Sequence, residues 1–376
     1  MTAPLDALER VIDQTVAPNA DSVDRAGTFP AAAMAALRAE GFLGLTSATA
    51  VGGAGLGLAE AATVIERLAG ACGSTAMVTL MHYAATAVVE AHGHDDLRRA
   101  IAGGDHLTTL AFSEVGSRSH FWSPLGTATS RGKAVSLDAR KSWVTAAAEA
   151  DSYVWSSRPV EGEGAMTIWS VPRATAGITV GDAFDGLGLR GNGSVPVTAA
   201  GAVVPASARL GADGAGLDVA LATALPSFLV LSTAFSLGLM EAVTTETGRH
   251  VMTARLEHLG EPLVHQPVTR RDFATMRVRT DAVRAFLADT LAALGSGRED
   301  ATLRVLECKA VAAEASLEVT DLAMKTCGGA AFRKELGIER RFRDARAARV
   351  MAPTTDALLD FVGRAVSGLP LLGPLA

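Results

Sequence analysis

KTCGGAAFRKELGIERRFRDARAARVMAPTTDAL, residues Lys325 to Leu358, is the stretch on which the fold of this chain is read. Its paired glycines, Gly328 and Gly329, have a physical motive, since only a backbone without Cβ approaches a phosphate or a ribose closely. Beyond them Glu339 and Arg340, then Arg343 and Asp344, place opposite charges near one another and read as ion pairs that hold helices together. Ala352, Pro353 and Thr354 follow, and Asp356 is the nearest acid on the same segment.

The chain around this stretch has 376 residues, too many for one small core, so two or three packed units are expected. Apolar residues make up 49% and charged residues 20%, ordinary globular usage. A net charge of −6 with scattered Lys and Arg gives no basic field for a phosphate backbone, and no nucleic-acid partner is expected. Cys72, Cys308 and Cys327 have no metal-ligand spacing and cannot pair evenly, and no apolar leader follows Met1, which reads as a reducing cytoplasm. Val219 to Met240 has the length and low charge of a membrane span. Pro226, the scattered Thr and Ser, and the lack of flanking Lys or Arg fit a helix buried inside a bundle instead, so no membrane association is expected.

Residues 1–107 read as helices: Leu5, Leu8, Val11 and Ile12 recur at helical spacing, Pro30 opens a second run and Gly41 ends it. From 108 to 213 short β-type runs alternate with Gly, Pro and Asp, which predicts a small antiparallel sheet or barrel. Residues 214–376 return to long helical patterns with mixed faces, as in helices packed side by side in a four-helix bundle. The fold is therefore expected to be mainly α, with a central β domain.

This order of domains, and four motifs in matching order, resemble the acyl-CoA dehydrogenases. The C-terminal stretch resembles their Gly-Gly, Glu-Arg, Arg-Asp and Glu-Gly-Thr block. LAFSEVGSRSH resembles their Thr-Glu-Pro and Gly-Ser-Asp element, with Ser113, Glu114 and Ser119 matching while Val115, Arg118 and His120 depart. KSWVTAAAEAD resembles Lys-x-Trp-Ile-Thr-Asn-Gly, with Trp143 and Thr145 matching and Ala146-Ala147 in place of Asn-Gly. GLGLRGNGS and VVPASARLGADGAGL resemble the Leu-Gly-x-Arg and Val-Pro…Gly-x-Gly elements.

The resemblance implies FAD, with Phe112 and Ser113 at the pyrimidine edge, Trp143 along one side of the ring system, Thr145 near N5 and Ser119 near the pyrophosphate. It also implies that Arg255, Gln266, Gly328 and Gly329 reach the cofactor of a second copy, so a homodimer or homotetramer is expected. Thr354 stands in the last motif, among the cofactor contacts. The family's usual base is a Glu in that motif, and the count from Arg343 puts Ala352 in its place. A methyl group takes no proton. At the start of the helix after Gly216 the family commonly carries an acid and an Arg, where this chain has Leu225, Pro226, Ser227 and Phe228.

Asp356, His82 and His120 are the remaining candidates for acid–base work, with Arg118, Ser227 and Phe228 as candidate substrate contacts; no metal is expected. Three functions stay open. The first is an FAD-dependent oxidoreductase acting on an acyl thioester, carried by CoA or a carrier protein, or on a similar small molecule, without the usual Glu. The second is a flavin-dependent monooxygenase on the same fold, and the third a non-catalytic partner or scaffold. An electron-transfer partner or a flavin reductase is implied for the first two.

Overall fold

The structure, a computed structural model, describes residues 2–118 and 120–373, with side chains from Leu5 onward. The N-terminal region is built from α1 (Thr2–Val11), α2 (Ala17–Ala26), α3 (Ala31–Ala39), α4 (Leu58–Ala71), α5 (Gly73–His92) and α6 (Asp95–Ala102). Pro30 caps α3, its missing N–H being one that a helix start leaves unpaired anyway, and Gly41 ends the run in the left-handed region at φ 76°.

The β region has strands β1 (Thr108–Ala111), β2 (Thr127–Arg131), β3 (Ala134–Val144), β4 (Ser152–Ser157), β5 (Thr167–Pro172), β6 (Ile178–Val180), β7 (Val195–Pro205) and β8 (Arg209–Leu210). They form two four-stranded sheets, ordered β1-β4-β5-β8 and β2-β3-β7-β6. Alternate apolar residues of β3 and β7 (Val135, Leu137, Val197, Val204) meet Tyr153, Trp155, Trp169 and Val171 in one core. One feature differs from the antiparallel expectation: β1 and β4 run parallel, pairing Thr108 with Ser152. The intervening chain includes the β2–β3 hairpin of the other sheet, so β4 returns alongside β1 by a long crossover, as parallel pairing requires.

Past Gly216 the chain forms α7 (Gly216–Val219), α8 (Leu225–Thr253), a small hairpin of β9 (Arg255–Leu256) and β10 (Glu261–Pro262), α9 (Pro267–Ser296) and α10 (Ala301–Cys327). Short helices α11 (Gly329–Phe332), α12 (Ile338–Ala345) and α13 (Ala347–Val350) lead to α14 (Thr355–Val366). The most apolar window of Gly216–Thr253 is 72% buried, so this membrane-length helix is a core element of the fold. Arg277 and Arg284 of α9 both reach Glu241 of α8, and Arg284 also reaches Glu66 of α4. The chain divides into two compact units, one comprising residues up to 61, 77–186 and 190–228, the other 62–76, 187–189 and from 229 onward.

Within the second unit α4 crosses α8 closely at Gly238, where an added Cβ would press into the carbonyl oxygen of Glu66 and lie 2.9 Å from the Ala69 Cβ. Backbone cannot yield as a flexible side chain can, so Gly238→Ala is expected to cost about 1–3 kcal/mol. Urea unfolding of the two proteins side by side checks this; equal midpoints would show that the helices separate freely.

Candidate active site

In the first unit the candidate residues are organised by one buried ion pair. Lys141, fully buried on β3, donates from Nζ to Glu114 Oε1 at 2.6 Å, the Ser156 carbonyl at 2.7 Å and Ser156 Oγ at 2.9 Å, and lies 4.9 Å from the centre of the Trp155 ring. The other carboxylate oxygen of Glu114 accepts from the backbone N–H groups of Leu125 at 2.5 Å and Gly126 at 3.0 Å. Burial pushes the Lys141 ammonium down to about 8, and the Glu114 carboxylate pulls it back up. Both charges are thus desolvated and fully used, the condition under which a buried pair is tolerated.

The pair docks the loop after β1 onto β3. Glu114 bridges Lys141 in antiparallel fashion, Ser142 N donates to Ser113 O at 2.9 Å and Val115 N donates to Arg140 O at 3.0 Å. Immediately past Lys141 the β3–β7 register shifts, and Trp143 sits in that bulge at φ 56°. A left-handed tryptophan is strained by roughly 1–3 kcal/mol, and bulges re-aim side chains beside functional sites. The indole is 59% exposed and stands 4.1 Å, centroid to centroid, from Phe184. Thr145 Oγ1 lies 3.2 Å from Ser194 Oγ, and Ala146, also left-handed at φ 53°, donates to Asn192 O at 2.9 Å. An aromatic face held out of the core, with the Ser113 and Thr145 hydroxyls on the same docked segments, fits a planar ring system with hydrogen-bonding edges.

The second unit carries the stretch from Lys325 to Leu358. Arg343 pairs with Glu339 at 2.7 Å, Arg340 donates to Ala71 O at 3.1 Å, and Asp344 accepts from Leu189 N at 2.6 Å. The Arg343–Glu339 pair thus lies within α12, while Arg340 and Asp344 tie that helix to backbone groups of other segments. Gly328 caps α10 at φ 54°, ψ −133°, a conformation that requires glycine. Gly329 needs no glycine for packing, since a Cβ there meets nothing within 4 Å. Both are exposed, as is the neighbouring Phe332 at 82%. Ala352 lies on the strap between α13 and α14, which Lys309 of α10 fastens through the carbonyls of Ala348, Met351 and Pro353. Thr354 caps α14, accepting from Ala357 N, and Asp356 is an exposed residue of the first turn of that helix.

His82 is placed differently from the acid–base group the sequence suggested. Its ring is fully buried: Thr108 N donates to Nδ1 at 3.2 Å and Nε2 stands 3.0 Å from Leu43 O, which assigns the neutral Nε2–H tautomer. Burial pushes it down to about 4. Both nitrogens serve backbone groups, so His82 is a strut between α5, β1 and the Phe42–Gly44 turn. His120 is exposed and packs edge-on against Trp122 with ring centres 4.9 Å apart. Arg118 is exposed at φ 50°, and Ser119 lies outside the described residues. Phe112 is buried, Ser227 half-buried and Phe228 buried. Arg255 donates to Gly260 O at 2.8 Å within the β9–β10 hairpin, and Gln266 caps α9. Sequence reasoning missed roles for Lys141, Phe184 and Lys309. The signal for the two lysines was their position: Lys141 continues the inward alternation of Val135, Leu137 and Ala139 on β3, and Lys309 sits among Cys308, Ala310, Ala312 and Ala313 on α10.

Three family descriptions match the chain: the N-terminal domain of acyl-CoA dehydrogenase over residues 2–103, its middle domain over 109–200 and its C-terminal domain over 214–367. The chain is 26% identical to cyclohex-1-ene-1-carbonyl-CoA dehydrogenase of Geobacter metallireducens, over 98% of this chain and 97% of that one. It is 25% identical to the human mitochondrial short-chain specific acyl-CoA dehydrogenase, over 90% and 83% of the two chains. Among solved structures, butyryl-CoA dehydrogenase from Megasphaera elsdenii superimposes with a TM-score of 0.90 at 20% identity, covering 97% of this chain and 98% of that one.

Two stability outcomes follow from the buried groups. Lys141→Met strands the Glu114 carboxylate and is expected to cost about 3–5 kcal/mol. Adding Glu114→Gln should restore part of this, which a double-mutant cycle in urea measures. His82 binds a proton at a higher pH when unfolded than when folded, so stability is fully present above pH 6.5 and is lost as pH falls towards 4. The loss is about 3 kcal/mol by linkage. Unfolding midpoints at neutral and acid pH for the parent and His82→Gln check it, the variant being expected to fall less steeply.

Proposed function

Because the chain belongs to the acyl-CoA dehydrogenase family, whose members are FAD-dependent flavoproteins, we propose that it is an FAD-dependent oxidoreductase acting on an acyl thioester without a carboxylate at the family's usual base position. The observation that carries the reading is Trp143, strained, bulged and exposed, two residues before Thr145 on the segment docked to Ser113. FAD, when bound, supplies the electron sink for oxidation of the substrate. Trp143 would flank its ring system, Thr145 and the Phe112–Ser113 segment would meet its polar edge, and Ser119 would approach its pyrophosphate.

The exposed Gly328 and Gly329, with Arg255 and Gln266, are assigned to the cofactor of a second copy, which makes the working form a homodimer or homotetramer. Gly329 supports this, as packing within its own chain gives no reason for a glycine. Thr354 joins the cofactor contacts, and Arg118, Ser227 and Phe228 the substrate contacts. Ala352 holds no proton, and His82 is left out of the chemistry because both its nitrogens are engaged. His120 and Asp356, both exposed, remain the candidates for acid–base work. The relatives' names favour a CoA thioester as substrate, an electron-transfer flavoprotein is the natural partner, and the cytoplasm is the assigned compartment. A flavin-dependent monooxygenase is the second reading, favoured by Ala352 together with the uncharged Leu225–Phe228 segment.

Titration with FAD tests the proposal. The parent should bind and show a flavin spectrum. Trp143→Ala should bind roughly tenfold more weakly, a stacking contribution of about 1–1.5 kcal/mol, with little change in melting temperature. Failure of the parent to bind FAD would remove the reading. Ala352→Glu should gain acyl-CoA oxidation if the thioester assignment is right; oxygen uptake driven by an added flavin reductase, with no such gain, would favour the monooxygenase.

A further inference from the structure

Lys309 lies in the middle of α10, 1% exposed, on a face otherwise made of Val305, Leu306, Ala312 and Ala313. Its Nζ donates to the carbonyl oxygens of Ala348 at 3.1 Å, Met351 at 3.0 Å and Pro353 at 2.8 Å. An ammonium has three N–H donors, and these three acceptors lie on both sides of Ala352. Packing alone would be served by methionine, without the desolvation that a buried charge costs. The cation is therefore explained by the strap it fastens.

We propose that Lys309 is a positioning residue of the active site: its ammonium fixes the segment from Ala348 to Pro353 and thereby sets where Ala352 and Thr354 stand. The inference rests on the flavoenzyme reading for what the strap borders, while the fastening itself rests on the hydrogen bonds alone. It has a consequence near neutral pH. Burial pushes the Lys309 ammonium down to about 7, with Cys308 beside it as the titratable neighbour on α10, its thiol pushed up to about 11. Among the charges of the adjoining elements, Glu314 pairs with Arg349, Asp321 with Arg346, and Asp356 acts on Arg349, while Arg340 and Arg341 of α12 bond the Ala71 and Gly70 carbonyls. A neutral amine has two N–H groups for three carbonyls, so the strap loses a bond as pH rises through about 7.

The linkage sign is opposite for the fold as a whole. Unfolded Lys309 keeps its proton up to the ordinary lysine value of 10.5, while the folded side chain gives it up near 7. Relative to Lys309→Met, the parent should therefore gain global stability between these values while its strap loosens. A residue that merely stabilises the fold would not move these two in opposite directions.

Hydrogen exchange read by mass spectrometry, on the full-length protein with and without FAD, tests the proposal. In the parent, exchange of the peptide spanning 346–357, corrected for intrinsic rates, should rise several-fold from pH 6 to pH 8.5. In Lys309→Met it should be at least tenfold faster than the parent at pH 6 and flat with pH, with α10 itself still protected. Lys309→Gln, which keeps an N–H donor, should fall between the two and takes the place of the methionine variant should that fail to fold. Strap exchange unchanged by either variant, or raised equally throughout the second unit, would overturn the proposal. A parent that binds no FAD would remove the flavoenzyme reading and leave the exchange result to decide the fastening.

In the flavin-loaded parent the visible band should also shift through one titration near pH 7 that is absent from both variants. Its persistence in them, or its absence from the parent, would show that Lys309 does not set the geometry beside the cofactor.

Discussion

The ammonium of Lys141 against the carboxylate of Glu114 is the contact on which the candidate site depends. It joins the loop after β1 to the far end of β3, the two segments that carry Ser113, Trp143 and Thr145. In water such a pair contributes little. Here both partners are buried and every further bond runs to backbone or to Ser156, so neither can relax without leaving a charge exposed to a low-dielectric interior. Rigidity of that kind allows Trp143 and Ala146 to persist in left-handed conformations, since strain survives only where the surroundings over-determine it.

Lys309 repeats the device in the helical unit with a different set of acceptors. Lys141 faces a carboxylate, whereas Lys309 holds backbone carbonyls, and burial lowers Lys309 further as a result, to about 7 against about 8. The contrast explains why one pair reads as a permanent brace and the other as a fastening sensitive to neutral pH. Both lie beside residues the sequence marks out, Trp143 in one case and Ala352 in the other.

Much of the architecture was legible in sequence because periodicity reports burial directly. The buried apolar face of β7, the uncharged first half of α8 (Leu225 to Met240) and the breaks at Pro30 and Gly41 all follow local rules. The site was legible only in part. Trp143 and Thr145 were found through their motif, but the bulge that turns Trp143 outward depends on pairing with β7, far along the chain. His82 misled for a related reason: its role is set by Leu43 and Thr108, distant in sequence, and a histidine on an apolar helix gives no sign of which backbone groups it will meet. The parallel β1–β4 pairing was hidden likewise, as alternation reports a strand but not its neighbour's direction.

That pairing bears on how the domain assembles. Thr108 and Ser152 must meet across the whole β2–β3 hairpin, whose own register, Arg131 against Ala134, closes over a tight turn. The cost of closing the longer loop is met before its contacts repay it. The hairpin can therefore form early and locally, and the sheet containing β1 sets late. Its late partner β4 carries Ser156, which accepts from Lys141, so the setting of the Glu114–Lys141 pair is completed only when that sheet closes.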